Sequence, residues 1–471
     1  MKIVDLEIKG ITSNSQEVKK GFIFVAIKGN RQDGRSFIKE AIARGAGIIV
    51  VEKESPKIKL PEKVVFLVVN DCRKFFAQAT HNFYGAPSDK VKVAGITGTN
   101  GKTTISYLIE AMAEKSGYDC GVIGTINYRF KGRIIPAKNT TPGAGQLQKL
   151  LKKMHRQKVK YCAMEVSSHA LDQERAAGIN FRQAIFTNLT QDHLDYHKNL
   201  ENYFLAKAKL FCALASSATA IINNDDKYSQ RIRKLTRAKV LTYGIKNKSN
   251  IMAKKINFNL HSTEFSLVSG QINLRMKTNL IGGYNIYNVL AAVAWGISEK
   301  LPMEDIKSAI EEFKNAPGRL ERVSSSKERS IFVDYAHTPD ALFNVISALR
   351  PLVKGKIIVV FGCGGERDKL KRPQMGKVVT ELADYAIITS DNPRSENPAR
   401  IIKDITQGIE KSNYCLVPGR QQAIRKGLSL MHKEDCLLIA GKGHENYQIL
   451  KNRIMQFSDR KVVRECMKLM K

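Results

Sequence analysis

The run Thr97-Gly98-Thr99-Asn100-Gly101-Lys102-Thr103-Thr104 sets two glycines, a lysine and a row of hydroxyls behind an apolar stretch. Val91, Val93, Ala94 and Ile96 predict a strand before it, and residues 105–115 read as a helix after it. A glycine turn between strand and helix aims backbone N–H groups at an anion, and the helix dipole favours negative charge there. Lys102 can neutralise charge at a β/γ-phosphate, and the Thr103 hydroxyl can hold Mg²⁺. The longer phosphate-loop pattern has a glycine five residues before Gly101, where this chain has Ile96. The nucleotide reading therefore rests on Gly98, Gly101, Lys102 and Thr103 in their setting. The competing reading is an ordinary glycine turn.

Other chemistry-bearing residues follow other strand patterns. Residues 161–169 bring Glu165, Ser167, Ser168 and His169 together, and residues 184–197 add Asn188, Asp192, His193 and His197. Glu165 and His193 are candidates to share a second Mg²⁺ at a γ-phosphate, although histidine is a less usual ligand for so hard a cation. The alternatives are a cap or ion pair for Glu165 and a core hydrogen bond for His193. Towards the C-terminus, the stretches 334–340, 362–368, 390–394 and 441–445 each follow an apolar run. They carry both signs of charge, which suits a zwitterion such as an amino acid; the alternative is a set of polar loops with helix caps.

These residues need a scaffold. A chain of 471 residues exceeds what one hydrophobic core usually supports, so several domains are expected. The first part reads as short strands and one helix, at 37–45, and ends in the turn chemistry of Tyr84-Gly85-Ala86-Pro87-Ser88. The second alternates strands (91–97, 161–166, 183–187, 218–223, 239–243) with helices (144–157, 200–213, 284–300), which argues for a mostly parallel sheet. Residues 250–280 alternate polar and apolar and predict an antiparallel insertion. A second boundary falls at Asn315-Ala316-Pro317-Gly318-Arg319, after which strands and helices alternate again. The expected class is α/β in three domains: 1–88, small; 89–317, a central phosphate-loop type; and 318–471, Rossmann-like. Ligands of such sheets bind beyond the carboxyl ends of the strands.

Composition narrows the classes. The net charge is +33, from 77 basic and 44 acidic residues. It is compatible with nucleic-acid binding, but the charge is dispersed, without a basic tail or a zinc-finger or ribonucleoprotein motif. An enzyme with polyanionic substrates is the preferred reading, and no nucleic-acid partner is expected. No stretch is apolar enough to span a bilayer. The eight cysteines are scattered without a Cys-x-x-Cys pair, and Met1-Lys2-Ile3-Val4-Asp5 is unlike a signal, so reduced thiols and a cytoplasmic location are expected.

Eight ordered motifs give the chain a resemblance to the Mur ligase family throughout its length. They are 98–104, Asn139-Thr140-Thr141-Pro142, 165–171, 187–197, Tyr284-Asn285-Ile286-Tyr287-Asn288, Pro317-Gly318-Arg319-Leu320-Glu321, 334–340 and Asp391-Asn392-Pro393-Arg394. The resemblance is strongest to the branch that extends a UDP-linked muramyl dipeptide, UDP-MurNAc-L-Ala-D-Glu, by a third amino acid. It implies an N-terminal domain for the uridine nucleotide, a central domain for ATP and a third for the incoming amino acid. It also implies an acyl-phosphate route to an amide bond, in a monomer.

Residue by residue, the resemblance implies an ATP site of Gly98, Thr99, Asn100, Gly101, Lys102, Thr103, Thr104, Asn285, Asn288, Arg319, Asp334 and His337. It implies Mg²⁺ held by Thr103, Glu165 and His193, and a carbamylated Lys207; from sequence alone, Lys207 reads as a solvated helix lysine. Lys102, Lys207, His193 and Glu165 would be catalytic. Ser15, Thr140, Thr141, Ser167, Gln173 and Arg175 match positions on the UDP-linked substrate. The N-terminal loop has Asn14-Ser15-Gln16 where the family usually has Asp-Ser-Arg, while Phe24-Val25-Ala26 and Asp33-Gly34-Arg35 fit. Arg367, Asp391, Asn392, Pro393, Arg394, Gly441 and Glu445 match the amino-acid pocket. Arg394 suits the distal carboxylate of meso-diaminopimelate and would repel the ammonium of L-lysine, so diaminopimelate is the expected partner. L-Lysine is the alternative, and a folylpolyglutamate synthetase-like ligase the more distant one.

Overall fold

The structure, a computed structural model, describes residues 7–29, 32–52, 64–323, 329–451 and 453–469. An eleven-stranded sheet dominates it. Seven strands run parallel, in the order Ile251–Phe258, Lys239–Gly244, Thr219–Asn223, Phe181–Phe186, Lys92–Thr97, Tyr161–Glu165 and Cys120–Ile123. The central strands are apolar on both faces because helices cover both faces. Helix Gly283–Ser298 lies in the core with Trp295 at its centre, packed on helix Lys102–Lys115.

Antiparallel pairs extend the sheet at both edges. Residues 250–280 do form antiparallel strands, Thr263–Ser269 and Ile272–Thr278, but these continue the central sheet from Ile251–Phe258. At the other edge the hairpin Asn127–Phe130 and Arg133–Pro136 was not anticipated.

A second sheet of six strands holds Ser330–Asp334, Cys436–Ala440, Ile357–Phe361, Tyr385–Ile388 and Tyr414–Leu416 in parallel, with Glu321–Arg322 antiparallel at its edge. A third sheet pairs Gly10–Thr12, Phe22–Val25, Ala46–Glu52 and Val65–Val69, all parallel. Among its described residues this first part has two α-helices, not one: Ile38–Ala43 and Cys72–Phe83. The second starts at Asp71, whose carboxylate accepts from the N–H groups of Arg73 and Lys74. Phe75, Phe76, Ala79 and Phe83 form its apolar stripe, which interleaved basic residues obscure in the sequence. No helix of the described residues is long and apolar enough to cross a membrane.

Parallel pairing decides where chemistry collects. Ile96 pairs with Glu165 and Thr97 with Phe186, so three strands deliver the phosphate loop, Glu165 and residues 187–193 to one edge.

Candidate active site

The phosphate loop is held by its neighbours. Gly98 and Gly101 have φ of 146° and 93°, a region that favours glycine. A Cβ on Gly98 would run into the Thr187 hydroxyl, and one on Gly101 into the Asn288 amide oxygen. The Asn188 side chain accepts from the Asn100 N–H at 3.0 Å, and the Thr187 hydroxyl donates to the Asn100 carbonyl at 2.6 Å. Thr99 donates to the Thr190 carbonyl at 3.2 Å, and Thr104 is buried in the helix start. Asn288 donates to Asn285, and Asn285 to the Ile281 carbonyl, so this pair sets the floor under Gly101.

Two lysines converge on one carbonyl. Lys102 Nζ donates to the carbonyls of Gly98 and Thr99, each at 2.8 Å, and Lys207 Nζ donates to the Gly98 carbonyl at 2.9 Å. Lys207 is 1% exposed, so it is not a solvated helix lysine. Burial, then the charge of Lys102, pushes its amine well below the usual lysine range. Burial lowers Lys102 as well, opposed by the carboxylates of Glu165 and Asp192.

Glu165 is buried, at 1% exposed. It accepts from the Thr103 hydroxyl at 3.1 Å, the Thr125 hydroxyl at 2.8 Å and the Thr125 N–H at 3.0 Å. Among the described residues it makes no ion pair. A buried carboxylate held by hydroxyls and one N–H, beside the loop threonine, fits a hard dication. His193 approaches from the neighbouring strand end with left-handed backbone (φ 55°), its ring 4.8 Å from that of His169. Burial pulls its imidazole down to about 3. No cluster of three or more His, Cys, Asp or Glu side chains poised for a metal occurs among the described residues.

The third part closes over this edge. Arg319 Nη2 donates to the Thr103 hydroxyl at 3.0 Å, and its guanidinium lies 4.6 Å from the Tyr335 ring centre. Asp334 accepts from the N–H groups of Leu320 and Ala336, which ties the link at Arg319 to the second sheet. His337 bonds the Tyr335 carbonyl through Nδ1 at 2.7 Å, and burial lowers it to about 4. Asp340, at the end of the 334–340 stretch, accepts from Asn100 and from Thr190, both at 3.0 Å, and so faces the phosphate loop.

Next to the loop lie five of the six candidates for the UDP-linked substrate. Thr140 meets the Thr125 hydroxyl at 3.1 Å, and Thr141 donates to the Glu165 carbonyl at 2.9 Å. Ser167 caps a short helix. Arg175 donates to the Gln173 amide oxygen and, at 3.1 Å, to the Thr141 carbonyl. Its partners are neutral, so its charge remains to be met by an anion. Ser15 lies in the first part, where its buried hydroxyl donates to Glu40 at 2.8 Å beside the Asn14 cap.

The amino-acid candidates gather at the second sheet. Asp391, Asn392 and Pro393 are buried, and Arg394 Nη1 donates to the Gly365 carbonyl at 2.6 Å. Arg394 has φ of 52°. Gly441 has φ of 111°, and a Cβ there would sit 2.7 Å from an Asp391 carboxylate oxygen. Arg367 is exposed at the rim, beside Gly364 with Arg394. Glu445 accepts from Asn392 at 2.8 Å and from Lys442 at 2.9 Å. Lys442 is fully buried and was overlooked in the sequence, although it lies inside 441–445. Behind them the buried pair Arg420–Asp459, at 2.7 Å, brings Arg420 to 4.0 Å from Asp391. Thr125, at the end of Cys120–Ile123, was missed too; its strand-end position was the available signal.

Known proteins match this arrangement along the whole chain. Three family models align: the Mur ligase family catalytic domain over residues 7–84, the Mur ligase middle domain over 96–296 and the Mur ligase glutamate ligase domain over 318–443. A UDP-N-acetylmuramoyl-L-alanyl-D-glutamate--2,6-diaminopimelate ligase of Clostridium botulinum is 43% identical over 464 residues, covering 98% of this chain and 95% of that one. A ligase of the same name, numbered 1, from Clostridium acetobutylicum is 45% identical over 467 residues, covering 99% and 96%. A solved structure of a ligase so named superposes with a TM-score of 0.72 at 32% identity, covering 99% of this chain and 97% of that one. Mycobacterium tuberculosis folylpolyglutamate synthase, complexed with ADP and AMPPCP, shares the fold at a TM-score of 0.64 and 16% identity, over 78% of this chain and 91% of that one.

Proposed function

The chain belongs to the Mur ligase family, and from that premise we propose that it is the ATP-dependent ligase that adds meso-diaminopimelate to UDP-MurNAc-L-Ala-D-Glu, in peptidoglycan precursor synthesis. The observation that carries the reading is the meeting of Arg319 with Thr103, which brings the third part over the phosphate loop. The proposed domains are 1–88 for the uridine nucleotide, 89–317 for ATP and 318–471 for the amino acid, in keeping with the three large sheets. A cytoplasmic location accords with eight free cysteines and with the use of ATP.

The D-glutamyl γ-carboxylate attacks the γ-phosphorus of ATP, ADP leaves and an acyl phosphate forms. The amine of diaminopimelate then attacks the acyl carbon, and collapse of the tetrahedral adduct releases phosphate. Such transfers depend on positioning and charge stabilisation. Lys102 and the N–H groups of the loop hold the β/γ-phosphates, while Arg319 adds charge from the third domain. Asn285 and Asn288 support the loop from below, and Asp334 and His337 line the wall facing it. Thr103, Glu165 and His193 would hold Mg²⁺, which neutralises phosphate charge when bound. Lys207 is placed for carbamylation: burial and the neighbouring Lys102 push its amine well below the usual lysine range, towards the neutral form that adds to CO₂, and the carbamate would place an anion beside Lys102.

Arg175, Gln173, Ser167, Thr140 and Thr141 orient the muramyl dipeptide towards Glu165. At the second sheet Arg394 takes the distal carboxylate of diaminopimelate, Arg367 the other, and Asp391 with Glu445 the distal ammonium. The test is phosphate release from ATP with UDP-MurNAc-L-Ala-D-Glu, comparing meso-diaminopimelate with L-lysine and weighing the product. Release and a tripeptide with diaminopimelate alone is the expected result. A product with lysine alone would overturn the amino-acid assignment and leave the ligase.

A further inference from the structure

The hairpin Tyr447–Leu450 and Arg453–Gln456 has no task in the reading above, yet it is fastened to the Asp391–Arg394 stretch at three points. Gln448 is buried, and its Nε2 donates to the Asp391 carbonyl at 2.7 Å. The Ile449 N–H donates to the Asn392 side-chain oxygen at 2.9 Å. The Arg394 N–H donates to the Ile449 carbonyl at 3.1 Å, and Arg394 bridges to Leu450. Arg394 needs such a clamp. Its backbone is left-handed, at φ 52°, where residues with a Cβ are uncommon. Its guanidinium sits at the end of a long side chain, so a small rotation of residues 391–394 would carry the fork away from a carboxylate that must be met in plane.

We propose that Gln448 is the positioning residue that sets the choice between amino acids with and without a distal carboxylate, by fixing the backbone from which Arg394 projects. The proposal rests on the amino-acid assignment made above. Gln448 touches no substrate; it acts through Asp391 and Arg394. A ligand that lacks the distal carboxylate makes no use of the fork, so loosening the clamp weakens diaminopimelate more than lysine, which shares only the ammonium contact of Asp391.

The test uses the full chain with Gln448→Met, which keeps length and removes the donor, Gln448→Glu, which sets an acceptor against the Asp391 carbonyl, and Gln448→Asn, which keeps the amide and shortens its reach. Each is assayed by phosphate release with meso-diaminopimelate and with L-lysine. Wild type is measured first: without a preference for diaminopimelate, the amino-acid assignment fails before Gln448 is at issue. Given that preference, the expected result is a rise of about tenfold in KM for diaminopimelate. KM for ATP and for the UDP-linked substrate should stay within about twofold, and the ratio of kcat/KM for diaminopimelate over lysine should fall about tenfold. Gln448→Asn should fall between wild type and Gln448→Met. An unchanged ratio in the variants that fold, whatever their Tm, would overturn the proposal and leave Gln448 a scaffold residue. So would an equal loss with both amino acids.

Discussion

At the phosphate loop, Lys102 and Lys207 both donate to the Gly98 carbonyl, and Glu165 is held by hydroxyls and one N–H. At the second sheet, Lys442 and Glu445 have already found each other, with Asn392 joining them. Both regions lie beyond the carboxyl ends of parallel strands, but they handle charge in opposite ways. The charge of Lys102 meets only backbone carbonyls there, so it is neutralised when a polyanion arrives, and the loop region draws its strength from the ligand. Charges paired in advance offer a ligand less new energy and a fixed pattern to match, so the pocket acts chiefly by discrimination. The link between the regions is thin and specific: Arg319 on Thr103, and Asp340 on Asn100 and Thr190.

The largest effect is expected where charge is unpaired. Lys102→Met should lower kcat about 10³-fold, the scale of losing a preorganised donor at developing charge. The loss should be the same with every amino-acid acceptor tried, measured by phosphate release. A change in acceptor preference in this variant would break the comparison.

A smaller and selective effect is expected at the pocket. Arg394→Ala should lower kcat/KM for meso-diaminopimelate about 10²-fold, in line with loss of a charge-assisted fork, while leaving L-lysine unchanged or improved. Arg394→Lys should not restore it, because an ammonium cannot reproduce the planar fork. Competing-substrate assays with both amino acids would show whether preference has moved or only rate.

The two regions also differed in how far the sequence exposed them. The loop is contiguous, and its strand, turn and helix are local signals, so residues 97–104 could be placed from spacing alone. The strand ends carrying Glu165 and residues 390–394 were legible for the same reason. Lys207 was not: within Leu200–Cys212 nothing in the pattern separates a lysine on Gly98 from one in water, and only the family resemblance singled it out. Arg420 and Asp459 lie 39 positions apart and meet only through packing of the third part. The hairpin bearing Gln448 is short, with exposed apolar residues such as Ile454, so neither alternation nor burial announced it. Ser15 could be named, but not the direction of its hydroxyl.

The smallest effect concerns the seam between the regions. His444 lies in the stretch that supplies Glu445 to the pocket, and its ring stands 5.1 Å from that of Tyr335, on which Arg319 stacks. Burial first, and then Arg319, Arg460 and Lys442, pull its imidazole down to about 3. An unfolded histidine titrates near 6.5, so the unfolded chain binds the extra proton between those values. Stability is therefore intact above about pH 6.5 and falls as the pH drops towards 3, with a contribution of about 2 kcal/mol after allowance for partial solvation. His444→Gln removes that proton. Its Tm should fall less steeply than that of wild type between pH 6.5 and 4.5, while activity with either amino acid at pH 8 stays within about threefold. A slope equal to that of wild type would assign the acid sensitivity to the loop-side histidines, such as His193 and His337, and would place the weak point of the molecule in the phosphate region instead of at the seam.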